Sequence, residues 1–416
     1  MATPNMPGLE SRPRLLAPLA PRLVFAVPHR FFFLVGVTQI VVISLWWAWA
    51  LAARIALVAA PPAAVSDTAV HALLMTCGFA PFFMFGFLFT AGPRWLGVPP
   101  PQRAAWLPPG ILAAIAALAL VPSQLAGPWI GDAGVRIAAG VYALGWLWLL
   151  LRFALLIGES QEREKVHAKV VLAALSIGAS AVAAFALSGA AAHPWVKELG
   201  VWGFLLPVFV TVCHRMVPFF TASVVPFVTA FRPWWLLSAL TGAPIAHGIL
   251  DAAGLAAWTW LLDFPAAALL FWLTLRWGLM QSLANRLLAM LHLGFLWYAI
   301  GFLLAGVHSL LVRSGGIGIP LAPVHALTVG FASALLMAMV TRVTCGHSGR
   351  TLAADTLTWR LFQLLQLTAV VRISAEILPG RGWLLMAALL WCACFVPWCI
   401  KYAPVYWRPR SDGRPG

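Results

Sequence analysis

The sequence predicts an all-α integral membrane protein, one bundle of about twelve transmembrane helices with both chain ends in the cytoplasm. Three observations predict it. First, 62% of the 416 residues are hydrophobic and 9% charged, with a mean hydropathy of +0.91. A soluble domain carries roughly 25% charge, so there is too little polar surface here to cover a water-soluble globule, and lipid must solvate much of it. Second, apolar runs of about 20 residues, the length a bilayer crossing needs, recur from one end to the other. Third, lysine and arginine are distributed asymmetrically across those runs.

The runs lie near residues 31–53, 68–92, 107–126, 134–157, 166–190, 199–222, 233–251, 254–278, 287–311, 323–343, 357–378 and 382–402. Proline, glycine and charge mark the breaks, as at Pro61-Pro62, Pro99 to Pro101, the charged run from Glu159 to Lys165, and Gly315-Gly316. With the N-terminus inside, only Arg54, Arg136, Lys197, Arg313, Arg372 and Arg381 fall outside, and the rest of the 27 basic residues fall on the cytoplasmic side. Cytoplasmic loops carry such an excess, which predicts the orientation and an even number of spans. Residues 1–30, rich in proline and arginine without an apolar core, read as a cytoplasmic tail ahead of a 31–402 membrane domain, and 403–416 as a second tail.

The net charge of +15 is not a nucleic-acid signature, because the basic residues sit singly between apolar runs, Arg12, Arg14 and Arg414 in the tails included. The six cysteines lie mostly inside apolar runs with no CxxC among them, so they read as small buried hydrophobes and not as disulfides or thiolate sites.

Ionisable residues inside a membrane are costly and therefore functional candidates. The histidines sort by depth. At 1.5 Å per residue, His325 and Arg342 lie ~25 Å apart on one helix and His292 and His308 ~24 Å apart on another. His71, His247, His308 and His325 then form an outer layer, and His214, His292 and His347 an inner one. His29 stands at the inner mouth of the first span, with His167 and His193 at loops or helix ends. Asp67 precedes His71 by four residues and Asp251 follows His247 by four, so each pair shares a helix face. A carboxylate on one imidazole nitrogen would make the other a better metal ligand.

Two stripes keep helical spacing: His71, Met75, Gly78, Phe82 and Gly86 in the second run, and His325, Thr328, Ala332, Met339 and Arg342 in the tenth. Small residues beside a histidine on two helices suit either close helix packing or a haem lying between them. Arg342, His347 and Arg350, with Arg215 at the same depth, are expected to gather at the cytoplasmic face, where arginines bind carboxylates or phosphates. Asp263 is a buried acid for proton relay or for pairing with a neighbour. Arg372 and Glu376, four apart, are expected to neutralise each other.

The segment His71 to Gly97 (HALLMTCGFAPFFMFGFLFTAGPRWLG) and above all His325 to Arg350 (HALTVGFASALLMAMVTRVTCGHSGR) resemble signatures of the NnrS family. PHRFFFLVG at 28–36, RMVPFFT at 215–221 and LLAMLHLGFLWYAIG at 287–301 fit further segments in the same order. The resemblance implies a twelve-span bacterial inner-membrane protein containing haem and copper and linked to nitric oxide and denitrification. By matching positions it implies His71, His292, His325 and His347 as haem or metal candidates and Arg215, Arg342 and Arg350 as polar anchors. The chain departs from the family at Leu73-Leu74-Met75, where a His-Glu-Met element is common, so one histidine and one acid of the implied metal set are absent.

The expected function is therefore that of a haem-binding membrane protein, b-type with copper possible, that binds nitric oxide and supports tolerance to nitrosative stress. Neutral imidazole is the usual ligand of haem iron and suits copper. The candidate ligands are His71 and His325 first, then His247, His292 and His347. No pattern assigns a catalytic residue, and an oxygen reductase is disfavoured because neither a His-His pair in the seventh run nor His-x-His in the tenth occurs. The alternative is a transporter for a metal, a metal-nitrosyl complex or a small anion, and a structural partner of denitrification enzymes is a third class.

Overall fold

The computed structural model describes residues 20–226 and 228–412. Of the proposed tails at 1–30 and 403–416, residues 1–19 and 413–416, with Arg12, Arg14 and Arg414, lie outside the described residues. Among the described residues there is no strand. Each of the twelve expected runs is helical: α1 Pro28–Arg54, α2 Asp67–Leu96, α3 Arg103–Leu125, α4 Ala133–Glu159, α5 Val166–Ser188, α6 198–224, α7 Trp234–Ala252, α8 Trp260–Arg276, α9 Arg286–Arg313, α10 Leu321–His347, α11 Thr356–Ser374 and α12 Gly382–Tyr402.

Eight stretches among the described residues are long and apolar enough to cross a membrane, and the expected count of about twelve is not reached by that standard. The difference has identifiable causes. α5 and α6 belong to one 59-residue stretch, Val166–Val224, which turns at Gly189, where φ is +57°, and packs back on itself. α7, α8 and α11 are 19, 17 and 19 residues long. They carry His247, Asp263 and Arg372 respectively, which dilute their apolar character.

The two ends of the described chain meet. Ala20 N–H donates to the Trp407 carbonyl at 2.9 Å, and the Arg30 guanidinium donates to the carbonyls of Tyr406 and Arg408 at 3.4 and 2.9 Å. Ends on one face are the outcome that an even number of crossings gives. Asp355 caps α11, accepting from Thr358 N–H at 2.9 Å and pairing with Lys401. Burial works to raise its carboxyl, but Lys401 and Thr358 together hold it below the ordinary carboxylate value. This cap therefore stabilises the protein above about pH 4 and is lost as the pH falls through the lowered value.

α1 and α2 interlock through glycine. A Cβ on Gly36 would stand 2.6 Å from the Phe83 ring, and one on Gly86 would stand 2.8 Å from the Phe33 ring. Each helix thus seats an aromatic knob of the other where only hydrogen fits. The glycines of the second-run stripe accommodate α1, not a bound ring. Gly86→Leu is expected to lower unfolding stability by about 1–3 kcal/mol through overpacking. Thermal unfolding in detergent checks this, and an unchanged midpoint would contradict the interlock.

Candidate functional site

His71 and His325 line the same partly open cavity, of about 70 Å³, between α2, α6, α10 and α12. Met75, Phe79, Thr328, Ala332 and Trp391 also border it. Both imidazoles lie deep in the bundle and keep accessible surface because they face this space.

Each histidine stands just before a break in α-helical register. His71 precedes a π-helical turn at Leu74–Gly78, and His325 precedes one at Ala326–Ala332. Such turns occur frequently at functional sites. Sequence explains the first. Pro81 has no N–H to offer the carbonyl four residues earlier, and its ring crowds that carbonyl. The freed Cys77 carbonyl instead accepts the Tyr142 hydroxyl at 2.6 Å. In the second, the Ser333 hydroxyl donates to the Thr328 carbonyl at 2.8 Å. Tyr142→Phe would leave the buried Cys77 carbonyl unsatisfied, so a loss of about 1–3 kcal/mol is expected in thermal unfolding.

The π turns also rotate the helix beyond them, and the two stripes do not survive intact. Past Met75, Phe82 stacks on Tyr142 with centroids 5.9 Å apart and Gly86 packs on Phe33. Thr328 and Ala332 stay on the His325 cavity, while Met339 lines a neighbouring apolar cavity of about 70 Å³ with Met84, Met216 and Cys213. The two cavities share Ala80, Phe209 and Leu336 in their walls.

The two imidazoles are held differently. His325 Nδ1–H donates to the Leu321 carbonyl at 2.8 Å, which fixes the tautomer and leaves Nε2 as the lone-pair nitrogen. His71 stacks on Trp47, 3.8 Å between centroids and 17° between planes. Its Nδ1 is buried without a partner, because Asp67, the expected carboxylate, accepts instead from Gln124 at 3.0 Å. Two histidines from separate helices on one cavity, each with a ring nitrogen unengaged by protein, are a donor set that would suit a haem.

At the opposite end, His347 meets His29, with ring centroids 4.6 Å apart. They border a small polar space of about 10 Å³ with Arg30, Thr344, Ser348 and Tyr406. Sequence reasoning misses His29 as a partner, since nothing in its spacing relates it to His347 some three hundred residues on. The arginines expected to gather at this face each have surroundings of their own. Arg342 lies over the Phe220 ring at 3.8 Å. Arg215 pairs with Glu164 at 2.9 Å and lies over Trp95 at 4.9 Å. Arg350 is exposed.

The remaining histidines have other partners. His292 is fully buried and bonded through Nε2 to the Thr221 hydroxyl at 2.8 Å, with Nδ1 unpartnered. His247 does not pair with Asp251, which binds Lys197 at 3.1 Å. Its Nδ1 meets Asp263 at 2.8 Å, and its ring packs on Trp202 at 3.9 Å. His167 and His214 form an unexpected chain: Glu164 to His167 Nδ1 at 2.9 Å, His167 Nε2 to His214 Nδ1 at 3.0 Å, and His214 Nε2 to the Pro233 carbonyl at 3.1 Å. Among the described residues no three His, Cys, Asp or Glu side chains converge on one metal position.

No curated protein matches this chain. A family model described as NnrS protein matches residues 23–410, nearly the whole chain, and the chain belongs to the NnrS family.

Proposed function

We propose that this protein holds a b-type haem between His71 and His325 and uses it to bind nitric oxide, supporting tolerance to nitrosative stress. One observation carries this: two imidazoles from different helices border one cavity, and His325 is tethered through Nδ1 with Nε2 left bare. The haem supplies the iron to which a small diatomic ligand binds. The chain's residues orient the imidazoles and enclose the site: Leu321 fixes the His325 tautomer, Trp47 stacks on His71, and aliphatic and aromatic walls exclude water. The adjoining apolar cavity suits a small neutral ligand soluble in the bilayer. Family membership supports the link to nitric oxide.

The same proposal includes a bacterial inner-membrane location with both termini cytoplasmic and up to twelve crossings, the shorter α7, α8 and α11 among them. The excess of lysine and arginine on one side and the meeting of the chain ends support it. Purified protein should show a Soret band that shifts when nitric oxide is added. A folded, colourless protein that takes up no added haem would refute the proposal and favour transport.

A further inference from the structure

A haem held by His71 and His325 needs partners for its propionates, and the arginines of the GHSGR end are in the wrong place. Arg342 lies 17 residues along α10 from His325, ~25 Å away, and already covers Phe220. Arg215 is neutralised by Glu164. The anchors must come from the end of the bundle where the two histidines lie.

Two arginines are there, Arg54 one contact removed from His71 and Arg372 two contacts removed from His325. Arg54 ends α1. Its guanidinium lies 4.8 Å over the Trp47 ring, the ring on which His71 stacks. It also donates to the Thr68 hydroxyl at 3.0 Å, three residues before His71. Among the described residues no carboxylate forms an ion pair with it. Arg372 lies near the end of α11, which packs against the start of α10. Its companion Glu376 accepts from Leu321 N–H at 3.3 Å, and the Leu321 carbonyl is the one that tethers His325. The nearest approach of Arg372 Nη1 to Glu376 is 3.8 Å, an ion pair too long for a hydrogen bond, and the buried Nη1 has no hydrogen-bond partner. A buried guanidinium nitrogen with an unmet N–H is costly, and a ligand carboxylate would satisfy it.

We infer that Arg54 and Arg372 anchor the carboxylates of the ligand that His71 and His325 hold. This rests on the haem proposal above. It assigns Arg372 a binding role in addition to its pairing with Glu376, and it moves the polar anchors from the GHSGR end to the His71 end.

The test uses full-length protein in detergent, loaded with haem b or with its dimethyl ester, in which both carboxylates are masked. Loss of each to an excess of apomyoglobin is monitored by absorbance. The wild-type protein should retain haem b roughly tenfold longer than the ester, the scale of one charge-assisted hydrogen bond. Arg54→Gln and Arg372→Gln should shorten retention of haem b and leave that of the ester unchanged, while Arg372→Lys should restore part of the difference. Equal retention of the two haems by wild-type protein would overturn the inference without requiring any variant to fold. So would glutamine variants that hold haem b as long as wild type. Wild-type protein that binds neither haem would overturn the haem proposal itself, and this inference with it.

Discussion

His325→Ala is expected to remove most of the haem from the purified protein while its helical content stays intact. His325 is the better-prepared ligand. Its Nδ1–H is committed to the Leu321 carbonyl, so Nε2 carries the lone pair, and such backing strengthens an imidazole ligand. Loss of a buried metal ligand removes the interaction and leaves a hole in its place. Partners behind such ligands typically matter 10–100-fold in metal affinity, and the ligand itself matters more. His71 has stacking on Trp47 but no hydrogen-bond partner at Nδ1, so His71→Ala should cost less haem than His325→Ala and should speed binding of added carbon monoxide or nitric oxide. Haem-to-protein ratio by pyridine haemochrome assay, with circular dichroism for folding, reads both variants. If His325→Ala keeps a full complement, the ligand assignment is wrong. Added imidazole should restore part of the Soret absorbance in His325→Ala, because the vacated space has the shape of the missing ring.

His247→Leu is expected to be among the most destabilising single substitutions in the protein. Asp263 is 0% exposed, its Oδ1 meets His247 at 2.8 Å, and its Oδ2 has no partner. Removing the imidazole would strand a carboxylate among apolar side chains of α7 and α8. Breaking a buried pair on one side costs about 3–5 kcal/mol. Replacing both partners with well-packed apolar residues is often neutral, so His247→Leu combined with Asp263→Leu should recover most of the loss. Unfolding midpoints in detergent for both singles and the double measure the coupling directly. If the double is no more stable than His247→Leu, the pair is not what holds these two helices.

All twelve helical runs were legible because lipid leaves few choices. Every backbone amide in hydrocarbon must bond within its own segment, so an apolar run of sufficient length becomes a helix. Depth was legible for the same reason. A helix has a fixed rise, and His71 and His325 were expected at one level on the second and tenth runs, where they border one cavity. Rotation was not legible. The stripe from His71 through Met75 to Gly86 assumed 3.6 residues per turn. The π turn at Leu74–Gly78 breaks that period, and Gly78, Phe82 and Gly86 serve packing against α1 and α4. Pro81 was the available signal, since a proline inside a helix frees the carbonyl four residues back. Its consequence depended on Tyr142 of α4 arriving to bond it.

By itself, then, the sequence determined that the chain is a helical membrane protein and where its helical runs lie. Composition, rise per residue and the placement of basic residues are properties of single segments, and no contact between segments is needed to read them. Only the tertiary structure decided which polar groups meet: His29 with His347, His167 with His214, and His247 with Asp263 instead of Asp251. Those pairings depend on how each helix is turned about its axis and which neighbour it faces. Both are set by interlocking side chains such as Phe33 on Gly86 and Phe83 on Gly36, between residues far apart in the chain.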